Sequence, residues 1–200
     1  MDLLLATTNG HKIREMRTLL KPFASFDLYS LLDFPTYVQP EETGVTFEEN
    51  AILKAQHSAN TLQMWAIADD SGLVVPALGG EPGVYSARYA GVGAPDKENR
   101  KKLLQAMLSL EGLGRSAYFE CCIALASPEG IKKVVYGICE GIISYEERGR
   151  NGFGYDSLFL KHDYNQTFGE LDESQKNQVS HRAKALEKLK NTFYSLGASS

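Results

Sequence analysis

The chain of 200 residues lacks the equipment that several common activities need. Its three cysteines are Cys121, Cys122 and Cys139, two of them adjacent and none at zinc-ligand spacing. That excludes a paired disulfide framework and a cysteine-based zinc site. Such thiols read as small core hydrophobes of a reduced compartment, so a cytoplasmic location is expected. Four histidines with no H-E-x-x-H run leave little for a zinc hydrolase. There is no G-x-S-x-G elbow for a serine nucleophile and no G-x-x-x-x-G-K-S/T phosphate loop. No stretch approaches the roughly 18 apolar residues of a transmembrane helix. The opening Met1-Asp2-Leu3-Leu4-Leu5 has no basic region before its apolar run, so neither a membrane partner nor a secretory signal is expected. A formal charge of −4 is the wrong sign for a surface that tracks a nucleic-acid duplex. A small polyphosphate needs only a few local cations and is not excluded.

What is present reads as one α/β domain over residues 1–200, without a linker, repeat or low-complexity tract. Leu3–Ala6 is a buried strand. Thr7-Thr8-Asn9-Gly10 interrupts it, and Asn9 is placed to cap a helix with Ile13, Met16, Leu19 and Leu20 on one face. Pro22 marks its stop, and Tyr29 to Gly44 reads as irregular. Thr46-Phe47-Glu48-Glu49 is a capping box that opens a helix with Phe47, Ala51, Ala55, Ala59 and Leu62 along one stripe. Trp65–Ala68 is a second buried strand, and Asp96 is expected to cap a helix carrying Leu103, Leu104, Met107 and Leu108. Two β-rich runs, Ala117–Ala126 and Lys133–Ile143, flank the turn signal Ser127-Pro128-Glu129-Gly130. Leu158–Leu160 is a further strand, and a last helix is expected from Ser180, with Leu186, Leu189 and Phe193 on one face. Helix-separated strands followed by a hairpin imply a mixed sheet with flanking helices.

The most informative segment is Ala68-Asp69-Asp70-Ser71-Gly72, which places two carboxylates at the exit of a buried strand. Open α/β sheets bind ligands outside the carboxyl ends of their strands. A carboxylate there can hold a hard divalent cation that bridges to phosphate. Read alone, the segment is equally an Asp-rich turn. Successive strand residues face opposite ways, so only one of Asp69 and Asp70 is expected to serve the site. Spacing does not choose between them. Two helix starts carry cations at their positive ends: Gly10-His11-Lys12 and Ser180-His181-Arg182. A cation there is unfavourable unless it serves an anion, and the free N–H groups of a helix start themselves suit phosphate. In Asn151-Gly152-Phe153-Gly154-Tyr155-Asp156, glycines let backbone approach a ligand and rings offer a base a stacking surface. The loop could instead plug the core. Glu41 and Glu42 gain weight only if Asp70 holds a metal.

Six segments in register resemble the nonstandard purine nucleoside triphosphate pyrophosphatase family, also called inosine/xanthosine triphosphate pyrophosphatases. They are Ala6-Thr7-Thr8-Asn9 through Lys12, Glu41–Gly44 with Thr46–Ala51, Ala68–Leu73, Gly80–Gly91, Asn151–Asp156, and Lys176 with Ser180-His181-Arg182. The resemblance implies an elongated mixed sheet in two lobes around a central nucleotide cleft, usually as a homodimer. It implies Mg²⁺-dependent hydrolysis of ITP, dITP or XTP to the monophosphate and pyrophosphate. By position, Asp70 matches the catalytic, metal-contacting carboxylate and Glu41 a second metal ligand. Thr7, Thr8, Asn9, Gly10, His11 and Lys12, with Ser71, match the triphosphate site. Phe153, Gly154, Tyr155, Asp156, Lys176, His181 and Arg182 match the base and sugar pocket. Thr8 stands where Gly or Ser is common, and Ser157 where Pro is frequent; neither change removes a charge. A nucleotide sensor without catalysis, or a pyrophosphatase for modified pyrimidines, would carry many of the same features.

Overall fold

The computed structural model describes residues 2–23 and 26–198, so Met1 of the opening run lies outside them. Six strands form one mixed sheet of order β2-β1-β3-β4-β5-β6. The strands are β1 Asp2–Leu5, β2 Asp27–Ser30, β3 Trp65–Val74, β4 Ser116–Ser127, β5 Gly130–Ile143 and β6 Phe159–Lys161. β1 runs parallel to both β2 and β3, while β5 and β6 are antiparallel. Parallel neighbours need long crossovers. These are supplied by α1 (Gly10–Leu20) between β1 and β2, and by α2 (Phe47–Leu62) between β2 and β3. β4 and β5 are joined through Pro128 and Glu129, as the turn signal predicts.

The chain divides into two compact units. The first comprises Met1–Asp70, Cys121–Gly137 and Arg182–Ser200. Its core sets Leu3, Leu5, Ile67, Ile123 and Leu125 from strands against Met16, Leu20, Leu186 and Phe193 from helices. The second comprises Ser71–Glu120 and Ile138–His181. Its core gathers Leu73, Leu103, Met107, Phe119, Phe159 and Phe168. All three cysteines are buried, as expected, Cys121 within the first core and Cys139 within the second.

The capping residues act largely as the sequence predicts. The Asn9 side chain accepts from the backbone N–H groups of His11 and Lys12, and Thr46 Oγ1 accepts from Glu49 N–H at 3.1 Å. Glu49 reaches back one residue further than the box requires, to Val45 N–H at 2.7 Å. The stripe Ala51, Ala55 and Ala59 is fully buried, which lets α2 lie close to its neighbours.

Four expectations are corrected. β3 does not end at Ala68 but continues to Val74, so Asp69 and Asp70 sit within the strand. Leu73 and Val74 prolong its buried run, and ion pairs described below offset the cost of the carboxylates. Asp27–Ser30 forms strand β2 where an irregular stretch was expected from Tyr29. Asp96 is the first residue of α3 (Asp96–Ala106) and not its cap. Its carboxylate accepts from Gly154 N–H at 2.6 Å, and Leu108 is exposed. The C-terminal helix is three: α4 (Glu173–Val179), α5 (His181–Glu187) and α6 (Lys190–Ala198). α4 has its own capping box, Asp172 with Gln175, and Ser180 is its C-cap.

Candidate active site

The β1–α1 turn is built by its own side chains. Thr7 Oγ1 accepts from Asn9 N–H at 3.1 Å, and Thr8, Asn9, Gly10 and His11 are exposed around the start of α1. Within the first turn of that helix, Lys12 Nζ lies 3.2 Å from Asp69 Oδ2. The same oxygen accepts from Arg182 Nη2 at 2.8 Å and Nε at 3.3 Å. Arg182 Nη1 is bonded in turn to Glu15. Asp69, Glu15 and Arg182 are all buried, Arg182 almost completely. Burial alone would raise the Asp69 carboxyl, but Arg182, Lys12 and Lys54 outweigh it and hold the group far below the ordinary carboxylate range. Burial likewise disfavours the Arg182 charge, and Asp69 and Glu15 more than restore it. Two cations therefore meet two carboxylates, and this cluster is balanced.

Asp70 belongs to a different cluster. Its Oδ1 accepts from Lys54 Nζ at 2.9 Å and its Oδ2 from Asn50 Nδ2 at 3.2 Å. Lys54 also pairs with Glu42 Oε1 at 3.0 Å. Burial opposes the Lys54 charge, yet Asp70, Glu42 and Asp69 together push its pKa above the ordinary lysine value. Lys54, Asp70 and Glu42 together carry one negative charge in excess. The alternation of β3 thus turns Asp69 towards a neutralised ion-pair group and Asp70 towards an acidic one. Of the two acids of the 41–42 pair, Glu42 joins the cluster and Glu41 is exposed.

The second unit holds the Asn151–Asp156 loop. Asp156 Oδ2 accepts from Phe153 N–H at 2.9 Å and from Lys176 Nζ at 2.7 Å, both acidic and basic side chains being buried. Lys176 Nζ also lies 5.0 Å from the Phe153 ring centre. Gly152 has φ 75°, and a β-carbon there would come within 2.0 Å of Asp156 Oδ2. Gly154, with φ 59°, donates its N–H to Asp96 and accepts from Arg100 Nη1 at 2.9 Å. The Tyr155 hydroxyl donates to Ser86 O at 2.9 Å, and burial raises its pKa. His181 stacks on Phe119, ring centres 4.8 Å apart and planes 14° from parallel. Asp156 and Lys176 thus hold the loop that presents Phe153, instead of facing solvent themselves. Ser71 follows Asp70 on β3, at the first residue of this unit.

The sequence alone did not mark Glu15, Asn50 or Lys54. A signal exists for two of them. Asn50 and Lys54 are four apart on α2, beside the Ala51, Ala55 and Ala59 stripe, where a polar pair at helical spacing has to be satisfied.

The model of the Ham1 family matches residues 3–192. The chain belongs to the Ham1 family. Among its Ham1 relatives is the dITP/XTP pyrophosphatase of Protochlamydia amoebophila, 59% identical over 190 residues covering 94% of this chain and 96% of the relative. The dITP/XTP pyrophosphatase of Chlamydia abortus is 60% identical over 94% of this chain and 92% of its own. Of solved structures, the HAM1 protein of Coxiella burnetii superposes with a TM-score of 0.88 at 41% identity, covering 98% of this chain and 99% of the other. The Staphylococcus aureus Ham1 protein gives 0.86 at 38% identity, covering 98% and 100%. The family resemblance and the mixed α/β fold expected from the sequence are both borne out.

Proposed function

We propose that this chain hydrolyses nonstandard purine nucleoside triphosphates, ITP, dITP and XTP, to the monophosphate and pyrophosphate. The observation that carries the reading is the charge division on β3, a neutralised Asp69 next to an Asp70 whose partners leave negative charge over. The names of its Protochlamydia and Chlamydia relatives point to the same substrates.

Lys12 and the start of α1 hold the triphosphate, since free N–H groups and the helix dipole both favour an anion there. Asp70 receives the proton of the attacking water, a role that needs an ionised carboxylate within hydrogen-bond reach. Among the described residues no three or more acidic, histidine or cysteine side chains converge into a metal cage. One or two carboxylates with hard oxygen donors nevertheless suit Mg²⁺, which keeps several waters and shares phosphate oxygens. Asp70, with Glu42 or Glu41 from the preceding loop, would hold it. When bound, it neutralises charge developing on the phosphates and acidifies coordinated water. Lys54 holds Asp70 in place, and positioning with electrostatics is most of what phosphoryl transfer asks of a protein.

Phe153 is the stacking surface for the base, with the Tyr155–Asp156–Lys176 group behind it and His181 as the reader of its polar edge, while Arg182, buried against Asp69 and Glu15, serves as scaffold. A donor aimed at a 6-keto oxygen is left unpaired by the 6-amino group of adenine, at a cost of about 1–3 kcal/mol. The protein works as a homodimer in a reduced compartment such as the cytoplasm. Its partner is a nucleotide; no described helix is long and apolar enough to cross a membrane.

Phosphorus NMR of ITP incubated with the protein and Mg²⁺ tests the reading. One pyrophosphate per inosine monophosphate is expected, and release of orthophosphate would overturn it.

A further inference from the structure

Asn50 is fully buried on the first turn of α2, and its side-chain amide is fully spoken for. Oδ1 accepts from Gly44 N–H at 2.9 Å. Nδ2 donates to Gly44 O at 3.4 Å and to Asp70 Oδ2 at 3.2 Å. A primary amide has two N–H groups, and here one goes to the loop and the other to the carboxylate. The orientation is forced. With the amide turned over, its oxygen would face the Asp70 carboxylate and its N–H groups would face Gly44 N–H.

Gly44 is glycine for room and not for backbone freedom, since its φ is not in the left-handed range. A β-carbon there would lie 2.5 Å from Asn50 Oδ1 and 2.8 Å from Glu49 Cβ. The loop backbone at Gly44 is therefore pressed onto the Asn50 amide and read by both of its ends. The same loop carries Glu42, which reaches Lys54 Nζ at 3.0 Å. Lys54 in turn holds the other oxygen of Asp70 at 2.9 Å. Helix α2 thus grips both oxygens of Asp70, through Asn50 and Lys54, and both side chains also touch the acidic loop.

Resting on the function proposed above, we propose that Asn50 is a positioning residue for hydrolysis: it fixes the rotation of the Asp70 carboxylate and keeps it in register with the 41–44 loop. It touches neither phosphate nor base. Its loss lowers turnover equally for every triphosphate base and leaves nucleotide affinity in place.

The test compares wild type, Asn50→Ala and Asn50→Asp, with kcat divided by the number of MgITP sites titrated on the same sample. Aspartate keeps the shape of the side chain but sets a carboxylate against Asp70; alanine only removes the donor. Positioning predicts that kcat per site falls at least tenfold in Asn50→Ala and further in Asn50→Asp, with KM for ITP within threefold. A packing role predicts the reverse order, the near-isosteric aspartate being milder than the cavity. That order, or turnover per site within twofold of wild type in both variants, would overturn the inference. A wild type without turnover would instead count against the function. In that case the side-chain amide resonances of Asn50 decide: they are expected to move in Asp70→Asn, and unmoved resonances overturn the inference.

Discussion

Asp69 and Asp70 are neighbours in the chain, yet their carboxylates answer to different cations, Asp69 to Lys12 and Arg182 and Asp70 to Lys54. The pleat of β3 makes this division, because successive side chains leave a strand on opposite faces. Asp69 is spent on holding a buried arginine, and Asp70 retains capacity for water or a metal. The proposed chemistry therefore falls to Asp70 on electrostatic grounds that do not depend on the family resemblance.

Asp70→Asn should lower ITP turnover by about 10²–10⁴-fold, the usual worth of a positioned acid–base group. MgITP binding should remain measurable by calorimetry, because Lys12 and the start of α1 are untouched. Turnover near that of wild type would move the base elsewhere.

Arg182→Met and Lys12→Met should separate scaffold from substrate contact. Removing the guanidinium takes a buried cation from Glu15 and leaves Asp69 with Lys12, and breaking a buried ion pair costs about 3–5 kcal/mol. Denaturant unfolding should show that loss for Arg182→Met. Lys12→Met leaves Asp69 with Arg182, so its fold should hold while KM for ITP rises about tenfold or more, the worth of a charged hydrogen bond. Equal destabilisation by both changes would refute the arrangement.

Acid should erode stability through Asp69. Measured with EDTA present, its folded pKa lies below the unfolded value of about 3.9, so between the two the unfolded chain binds the extra proton. Unfolding free energy then rises with pH across that window. The Asp69 contribution is complete above about pH 5 and drains away as pH falls through about 4 towards the folded pKa. Urea unfolding of wild type and Asp69→Asn across this range should give a steep acid limb for the first and a shallower one for the second. Parallel curves would show that Asp69 is not so held.

Gly152→Ala should injure the base end alone. The new β-carbon would meet Asp156 Oδ2 in a left-handed backbone conformation, so the Phe153 loop has to move. KM for ITP should rise at least fivefold, a shift of about 1 kcal/mol. Competitive inhibition by inorganic tripolyphosphate, which has no base, should not change. Loss of both affinities together would contradict a base-specific role for the loop.

Much of the candidate site's local structure was legible in the sequence because its groups sit on short local motifs. Asn9 as a cap, the Asp69-Asp70 pair and the Gly152 and Gly154 loop all follow from turn and helix-start chemistry. The strand exit was misplaced because two adjacent carboxylates resemble a turn until the cations that neutralise them are known. Those cations come from Lys12, Lys54 and Arg182, and no local pattern reports contacts over such separations. That Glu42 and not Glu41 pairs with Lys54 was equally out of reach, since it depends on how an irregular loop meets α2. β2 was lost because a four-residue strand on the sheet edge has too few residues to show alternation.

The most direct measurement is a comparison of kcat/KM for ITP, XTP, ATP and GTP at fixed Mg²⁺, with pyrophosphate as the product followed. The account predicts that ITP and XTP are preferred over ATP by about 10²-fold or more, as expected where a buried donor is left unpaired by the wrong base. Equal kcat/KM for ITP and ATP would contradict it.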